Sequence, residues 1–471
     1  KNGNKSKNKF IKKVGDDREK VYHLTSEAIP VLEDLGVQNL LLSEKGTPFD
    51  FEKKSQSEKP LIIGNIRMGF GHYRISIALA SCAKAMGYTP YWFDLHSFQN
   101  ATAGKIIKSQ NELYSLGSRL SQKSTLFNKF VWEPINSEGF RQLSYNSSDQ
   151  KVAQLFAPVY KDLPKDIPFV GAHVYPVQGA VHAGLTNVIN AIPDNWPMAL
   201  HLSEGALHTV QTKSSYLGYL ALRGMDKDNI LKPMDKEAIK YTGHYVDHEL
   251  VEKIEEDCEM RIQRKKEGKA VRYLLTIGGA GAQKEIYSDI IKYLAPQIKA
   301  NKAVLFLNVG DHKNVWEEML KENPELKNAQ THFDNFEQAK QFAAFLTEKN
   351  SEISGIHVFY DKDIFAAVYT TNLLMHGCDV LVTKPSELAF YPIPKLFIRR
   401  VGGHEAWGAI HSSEIGDGTY ECETKNSVRE MLDLFQGESG VLEEMCRAIM
   451  KNKKEGIYNG GYEVIKLVEN K

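Results

Sequence analysis

Apolar residues along this chain come in short unbroken runs separated by stretches of helical period, and the alternation occurs twice. Leu61-Ile62-Ile63-Gly64 is the first such run, suited to a strand buried on both faces of a parallel sheet. A polar, glycine-bearing turn over 67–73 follows, then helical spacing from Ile75 to Met86 stopped by Gly87, then a second run at 91–95. That is a strand–helix–strand unit of the length a right-handed crossover needs. Further strands are predicted at 169–174 and 198–202, with a helix over 181–190 and helical or irregular chain over 100–160, and 241–247 is expected to close the domain. A charged helix over 249–266 leads into the second alternation. Its predicted strands are 271–277, 303–309, 355–360, 379–383 and 395–398, with helices reaching Leu294 and covering 333–349 and 364–376. Ahead of both, helical spacing over 22–42 has Thr25 as N-cap and Gly36 as stop, and 43–59 reads as a linker.

The pattern predicts an α/β chain with two Rossmann-like, doubly wound domains that face each other across a cleft. The expected divisions are an N-terminal basic tail, helix and linker over 1–59, a first domain over 60–248, a second over 249–440, and a helical segment over 441–471 that returns to the first domain.

Composition narrows the function. The 471 residues carry 59 basic and 59 acidic side chains, so no basic excess points to nucleic acid. The five cysteines are scattered and lack a CxxC pair, which reads as reduced thiols in a cytoplasmic protein. No metal site is expected: His244 and His248 are four apart, but Gly243 and Val246 disfavour a helix there. No apolar run is long enough to span a bilayer. The first thirteen positions hold six lysines around Phe10 and Ile11, which is compatible with peripheral contact at the inner face of a membrane, though a solvated tail is the plainer expectation. The chain begins with lysine, which leaves room for a preceding segment, a removed leader among the alternatives.

Three turns carry candidate chemistry. Gly69-Phe70-Gly71-His72-Tyr73-Arg74 joins a strand to a helix, where glycines admit close approach and free amides can meet an anion. His72 at that edge is a candidate general base, the alternative being a hydrogen-bonded histidine in a tight turn. Gly278-Gly279-Ala280-Gly281-Ala282 repeats the arrangement in the second half and suits a phosphate cradle, although it is no Walker A loop. The third cluster runs from the strand end at Thr383 through Lys384, Pro385, Ser386 and Glu387 to Gly403, His404 and Glu405. There Lys384 could neutralise a phosphate, and Glu387 or Glu405 could accept hydrogen bonds from sugar hydroxyls.

In this order the motifs resemble those of GT-B glycosyltransferases, notably monogalactosyldiacylglycerol synthase-like enzymes and the N-acetylglucosaminyltransferase of lipid II assembly. The shared features are the GxGH turn at Gly69, Gly71 and His72, the GGxGAQ-like turn from Gly278 to Gln283, and D-x-L-x-T-K-P from Asp379 to Pro385. The G-x-E at Gly403 and Glu405 and the segment from Tyr241 to Val246 complete them. The resemblance spans roughly 60–440. It implies metal-independent transfer of a sugar from a nucleotide diphosphate, UDP foremost, to a hydroxyl acceptor on a lipid or glycan. The donor is then a co-substrate, with no cofactor permanently bound. His72 would deprotonate the acceptor beside the Gly69, Gly71 and Tyr73 turn. Gly278, Gly279, Gly281 and Ala282 would cradle the diphosphate, and Phe359 with Tyr360 would flank the base. Thr383, Lys384, Ser386, Glu387, Gly403, His404 and Glu405 would complete the donor site. The chain departs from the pattern at Ser386, where the family has glycine, at Ile393-Pro394, which arrives early, and at Gly408, where asparagine is expected. Two alternatives stand beside transfer: a non-catalytic ligand-binding or scaffold protein on the same frame, and a nucleotide-sugar epimerase.

Overall fold

The computed structural model describes residues 2–278 and 283–470. Its chain divides into two compact units, one of residues 1–68, 75–247 and 459–471, the other of residues 69–74 and 248–458.

Eight strands form the sheet of the first unit: β1 (His23–Ala28), β2 (Gln38–Ser43), β3 (Pro60–Asn65), β4 (Thr89–Asp94), β5 (Phe169–Gly171), β6 (Val188–Ala191), β7 (Leu207–Val210) and β8 (Ile239–Tyr241). Their order is β1-β2-β4-β3-β5-β6-β7-β8, parallel throughout except for the β1–β2 pair. Every residue of β3 is buried, as expected of a central strand covered on both faces. The closing helix Gly460–Glu469 belongs to this unit: the Asn187 amide donates to the Val468 carbonyl at 3.1 Å, and Gly460 abuts the Gly243 carbonyl too closely for any side chain.

The second unit has seven parallel strands: β9 (Val271–Thr276), β10 (Ala303–Asn308), β11 (Gln330–Phe333), β12 (Ile356–Tyr360), β13 (Val380–Thr383), β14 (Lys395–Ile398) and β15 (Gly418–Cys422). The order is β11-β12-β10-β9-β13-β14-β15. From β9 the chain builds outward on one side through β10, and later returns to the other side at β13. The reversal puts a topological switch point at the carboxyl ends of β9 and β13, where open α/β sheets take their ligands. Asp379 anchors the opposite end of β13: its carboxylate accepts from the Arg264 guanidinium at 2.7 Å and from the Arg272 amide at 2.8 Å.

Two doubly wound α/β units are therefore present, with several elements displaced from their expected places. The helix expected over 22–42 is an antiparallel pair, β1 and β2, joined through a 3-10 turn at Pro30–Leu35. Gly36 at φ 62 turns the chain back, so Leu24 and Leu40 are buried by strand alternation. The strand expected at 198–202 is a 3-10 turn, Ala199–His201, because the Ala199 and Leu200 amides donate to the Arg141 and Phe140 carbonyls. Where a helix was expected at 181–190, the helix lies earlier, at Val174–His182, started by His173 whose Nδ1 accepts the Tyr175 amide at 3.1 Å; β6 follows it. The helix over 333–349 shortens to Phe336–Leu346 behind β11. The basic tail is a helix, Asn2–Val14, with Lys7 Nζ donating to the Gln154 side chain at 2.8 Å.

One buried acid makes the first unit pH-sensitive. Asp149, on the helix Leu143–Val152, is 8% exposed, and its Oδ2 has no hydrogen-bond partner. Burial pushes its carboxyl up to about 7, against a smaller opposing effect of a hydrogen bond from Tyr175. A raised carboxyl favours the folded state while protonated, so its contribution is full below about pH 4 and is lost as pH rises through about 7. Asp149→Asn should therefore stabilise the unit by ~2–4 kcal/mol at pH 8 and by little at pH 4. Thermal unfolding of both proteins across that range checks it; an equal shift at both ends contradicts it.

Candidate functional site

The carboxyl edge of the second sheet collects most of the chemistry. At the β10–β12 end a small pocket is lined by Asn308, His332, Asn335, Phe359, Tyr360 and Asp361, among others. Phe359, 2% exposed, stacks on His332 with ring centroids 4.6 Å apart and an interplanar angle of 9°. His332 Nε2 lies 3.1 Å from His357 Nδ1, and His357 Nε2 lies 2.9 Å from the Ser354 carbonyl. A carbonyl only accepts, so His357 carries its proton on Nε2 and receives the His332 Nε2–H. His332 Nδ1 is left as a buried lone pair with no partner. Burial, with the neighbouring His357, holds His332 down to about 4, so it is neutral at physiological pH. Asp361 is pushed up from its ordinary value by burial, helped by Asp334 and Asp363.

Next along the edge come the turns after β9 and β13. A Cβ on Gly278 would stand 3.2 Å from Lys384 Cε, so the lysine stem lies across the start of the glycine turn. Gly279, Gly281 and Ala282 lie outside the described residues. The turn ends at Gln283, at φ 68, whose side-chain amide donates to the Arg399 carbonyl beyond β14. Lys384 Nζ is 2.8 Å from Glu405 Oε1, and both side chains are largely buried. Glu405 Oε2 and His404 Nδ1 are buried without a partner. Thr383 donates its hydroxyl to the Lys384 carbonyl at 2.9 Å, and the Ser386 amide donates to the same oxygen at 2.8 Å. Gly403 opens the 3-10 turn, Gly403–Glu405, that feeds the helix Ala406–Glu414.

The early Ile393-Pro394 and the glycine at 408 have one cause. The short loop after β13 lies against that helix, and a Cβ at Gly408 would meet the Pro385 carbonyl oxygen at 2.9 Å and Ala389 Cβ at 3.3 Å. No asparagine fits there.

The turn after β3 packs within the second unit. Gly69 has φ 77, and Phe70 lies 5.4 Å from the His312 ring. Gly310, at φ 63, has the Phe70 ring 2.6 Å from where a Cβ would be, which bars any side chain there. Gly71 faces Glu387, whose Oε2 is 3.0 Å from its Cβ position. Tyr73 is 4% exposed and stacks on Phe365 at 5.4 Å. His72, half-buried between them, stands in the first turn of the helix Gly71–Ala85.

Sequence reasoning missed Arg74. Its guanidinium, 4% exposed, donates from Nε to Glu387 Oε1 at 3.2 Å, and from NH1 to the Val368 carbonyl at 3.1 Å and the Asn372 side chain. Glu387, read from the sequence as an acceptor for sugar hydroxyls, thus spends one oxygen on Arg74. Nothing in the sequence links residues 313 positions apart. His332 was missed as well, since one histidine in a short strand has no distinguishing spacing. Among the described residues, no group of three His, Cys, Asp or Glu side chains is placed to hold a metal ion, and no helix is long and apolar enough to cross a membrane.

Comparison with known proteins gives two kinds of match. Solved structures with a similar fold include UDP-GlcNAc 2-epimerase from Neisseria meningitidis bound to UDP-GlcNAc, at 12% identity, covering 88% of this chain and 100% of that one, with a TM-score of 0.44. Others are MnaA of S. aureus with UDP (12%, 87% and 95%, TM-score 0.42) and a trehalose-6-phosphate synthase studied with bisubstrate glycomimetics (12%, 87% and 99%, TM-score 0.43). At these scores the functional reading rests on the chain's own residues. No curated protein matches the chain. Residues 1–221 match the family model described as domain of unknown function DUF6937, and residues 234–469, just over half of the chain, match domain of unknown function DUF6938. The chain belongs to the DUF6938 family.

Proposed function

We propose that the protein is a glycosyltransferase that moves a sugar from a nucleotide diphosphate, UDP foremost, to a hydroxyl acceptor. One observation carries the reading: the pocket at Phe359, the turn at Gly278, Lys384 and Glu405 follow one another along a single sheet edge. That order suits a base, a diphosphate and a sugar laid end to end. The sequence motifs, in the order found in monogalactosyldiacylglycerol synthase-like and lipid II-forming enzymes, support the same reading, as does the packing of the His72 turn beside Glu387.

In the proposed reaction the acceptor oxygen forms a bond to the anomeric carbon while the bond from that carbon to the β-phosphate oxygen breaks. His72 takes the acceptor's proton. Lys384 and the amides of the glycine turn offset the charge gathering on the departing diphosphate, and oxocarbenium character develops on the sugar. The donor is a co-substrate, and no bound cofactor is required. The proposed location is the cytoplasm.

UDP and UDP-sugars should raise the thermal midpoint saturably, and Lys384→Met should remove most of that rise. A screen of nucleoside diphosphates and their sugars that yields no shift refutes the donor reading. Incubation with donor alone separates an epimerase, which would change the sugar without an acceptor.

A further inference from the structure

The helix Thr102–Lys123 and the helical segment 125–139 fold back on one another in the first unit. Ser124 makes the corner, its hydroxyl accepting the Phe127 amide at 3.1 Å. The two arms are held by Trp132, 8% exposed, which lies flush on Gly117 and 5.4 Å from the Tyr114 ring. Trp132 is turned inward, and other apolar side chains of both arms are left bare. Leu113, Leu116 and Leu120, at helical spacing, are 70%, 47% and 42% exposed. Leu126, Phe130 and Ile135 on the return arm are 71%, 66% and 47% exposed. Among the described residues, half of all exposed large apolar side chains lie between Leu113 and Ile135. Such concentration within one helical hairpin marks an interaction surface.

Charge identifies the partner. The return arm holds Lys129 against Glu133 and Glu138, whereas the helix Thr102–Lys123 carries Lys105, Lys108, Arg119 and Lys123 against one acid, Glu112. The N-terminal helix Asn2–Val14, with five lysines and no acid, packs beside it, Lys13 Nζ donating to Ser109 Oγ at 2.6 Å. A second copy of the chain would bring the same positive charge against this face. We infer that this face docks on an anionic phospholipid bilayer, the leucines and Phe130 entering the headgroup boundary and the lysines of both helices meeting lipid phosphates. The arrangement is that of interfacial helices, which lie in the membrane surface without crossing it. Docking is independent of the donor reading and can hold where that reading fails.

The test is sedimentation of the full chain with vesicles of phosphatidylcholine alone or mixed with phosphatidylglycerol. The mixed vesicles should carry the protein down, the neutral ones should not, and salt should weaken the association. Leu116→Glu/Phe130→Glu and, separately, Lys9→Glu/Lys12→Glu should each reduce the bound fraction about tenfold. Leu434→Glu, on an exposed leucine of the second unit, should leave it unchanged. The four glutamates replace exposed side chains, and unchanged thermal midpoints show that the fold is kept. Absence of binding to the mixed vesicles overturns the inference, as does wild-type binding by either double variant. Sedimentation without vesicles that Leu116→Glu/Phe130→Glu abolishes would assign the face to self-association instead.

Discussion

Asp417→Ala is expected to destabilise the second unit by about 3–5 kcal/mol. Lys395 and Asp417 are both fully buried, with Nζ 3.0 Å from Oδ1. The ammonium also donates to the Tyr391 and Ile393 carbonyls at 2.6 and 3.1 Å, while the carboxylate accepts from the Ser412 hydroxyl and from the Tyr458 phenol at 2.7 Å. Burial pulls the Lys395 ammonium below its usual range, and Asp417 opposes that pull. Removing the carboxylate leaves a buried cation with only carbonyl partners and strands two hydroxyl donors. Lys395→Met/Asp417→Leu should recover part of the loss, because the charge goes but the Ser412 and Tyr458 donors remain unmatched. Urea unfolding of the wild type and both variants measures this. A single variant within about 1 kcal/mol of the wild type, an effect close to that of a surface substitution, would mean that water reaches the pair.

The same lysine shows where a one-dimensional reading stops. Lys395-Leu396-Phe397-Ile398 was legible as a strand from its apolar run, and β14 stands there, but nothing local says that its lysine is entirely enclosed. The partner, Asp417, comes from just before β15, set by tertiary packing. Central strands such as β3, β9 and β10 were legible for the opposite reason: burial on both faces forces apolar composition whatever surrounds them. At the sheet margin that constraint weakens. In β1, His23 and Thr25 flank buried Leu24, and the leucines of the following turn and β2 then mimic a helical period. Pro30, a breaker inside the expected helix, and Gly36 both mark the reversal, but a stop signal does not say what it stops.

For the site, the turns were legible because backbone geometry restricts them to glycine, and their partners were not. Gly71 and Glu387 each stood out in their own motif, but Arg74, which ties them together, is an ordinary helix residue in sequence. Gly408 looked like a loss of function and is a packing requirement of the short loop after β13. A departure from a family pattern reports on the neighbouring backbone as readily as on the chemistry.

His72→Ala should lower kcat by about 10²–10⁴, the range that removal of a general base produces, with donor affinity unchanged. The separation follows from where the groups stand. His72 is not itself among the donor groups proposed above: Lys384 and the turn at Gly278 follow β13 and β9, and it is Glu387, three residues beyond Lys384, that meets the His72 turn. The helix first turn holds the imidazole by backbone, and Tyr73 and Arg74, packed on Phe365 and Glu387, fix that backbone from the other side. The variant should therefore still be stabilised by UDP, and the acid limb of its kcat/KM profile should vanish, since the group that must lose its proton is gone. Lys384→Met should behave differently, losing UDP stabilisation along with rate. If His72→Ala turned over at the wild-type rate with the same pH profile, deprotonation of the acceptor would belong to another group, and the GxGH turn would be a structural device that seats Arg74 on Glu387.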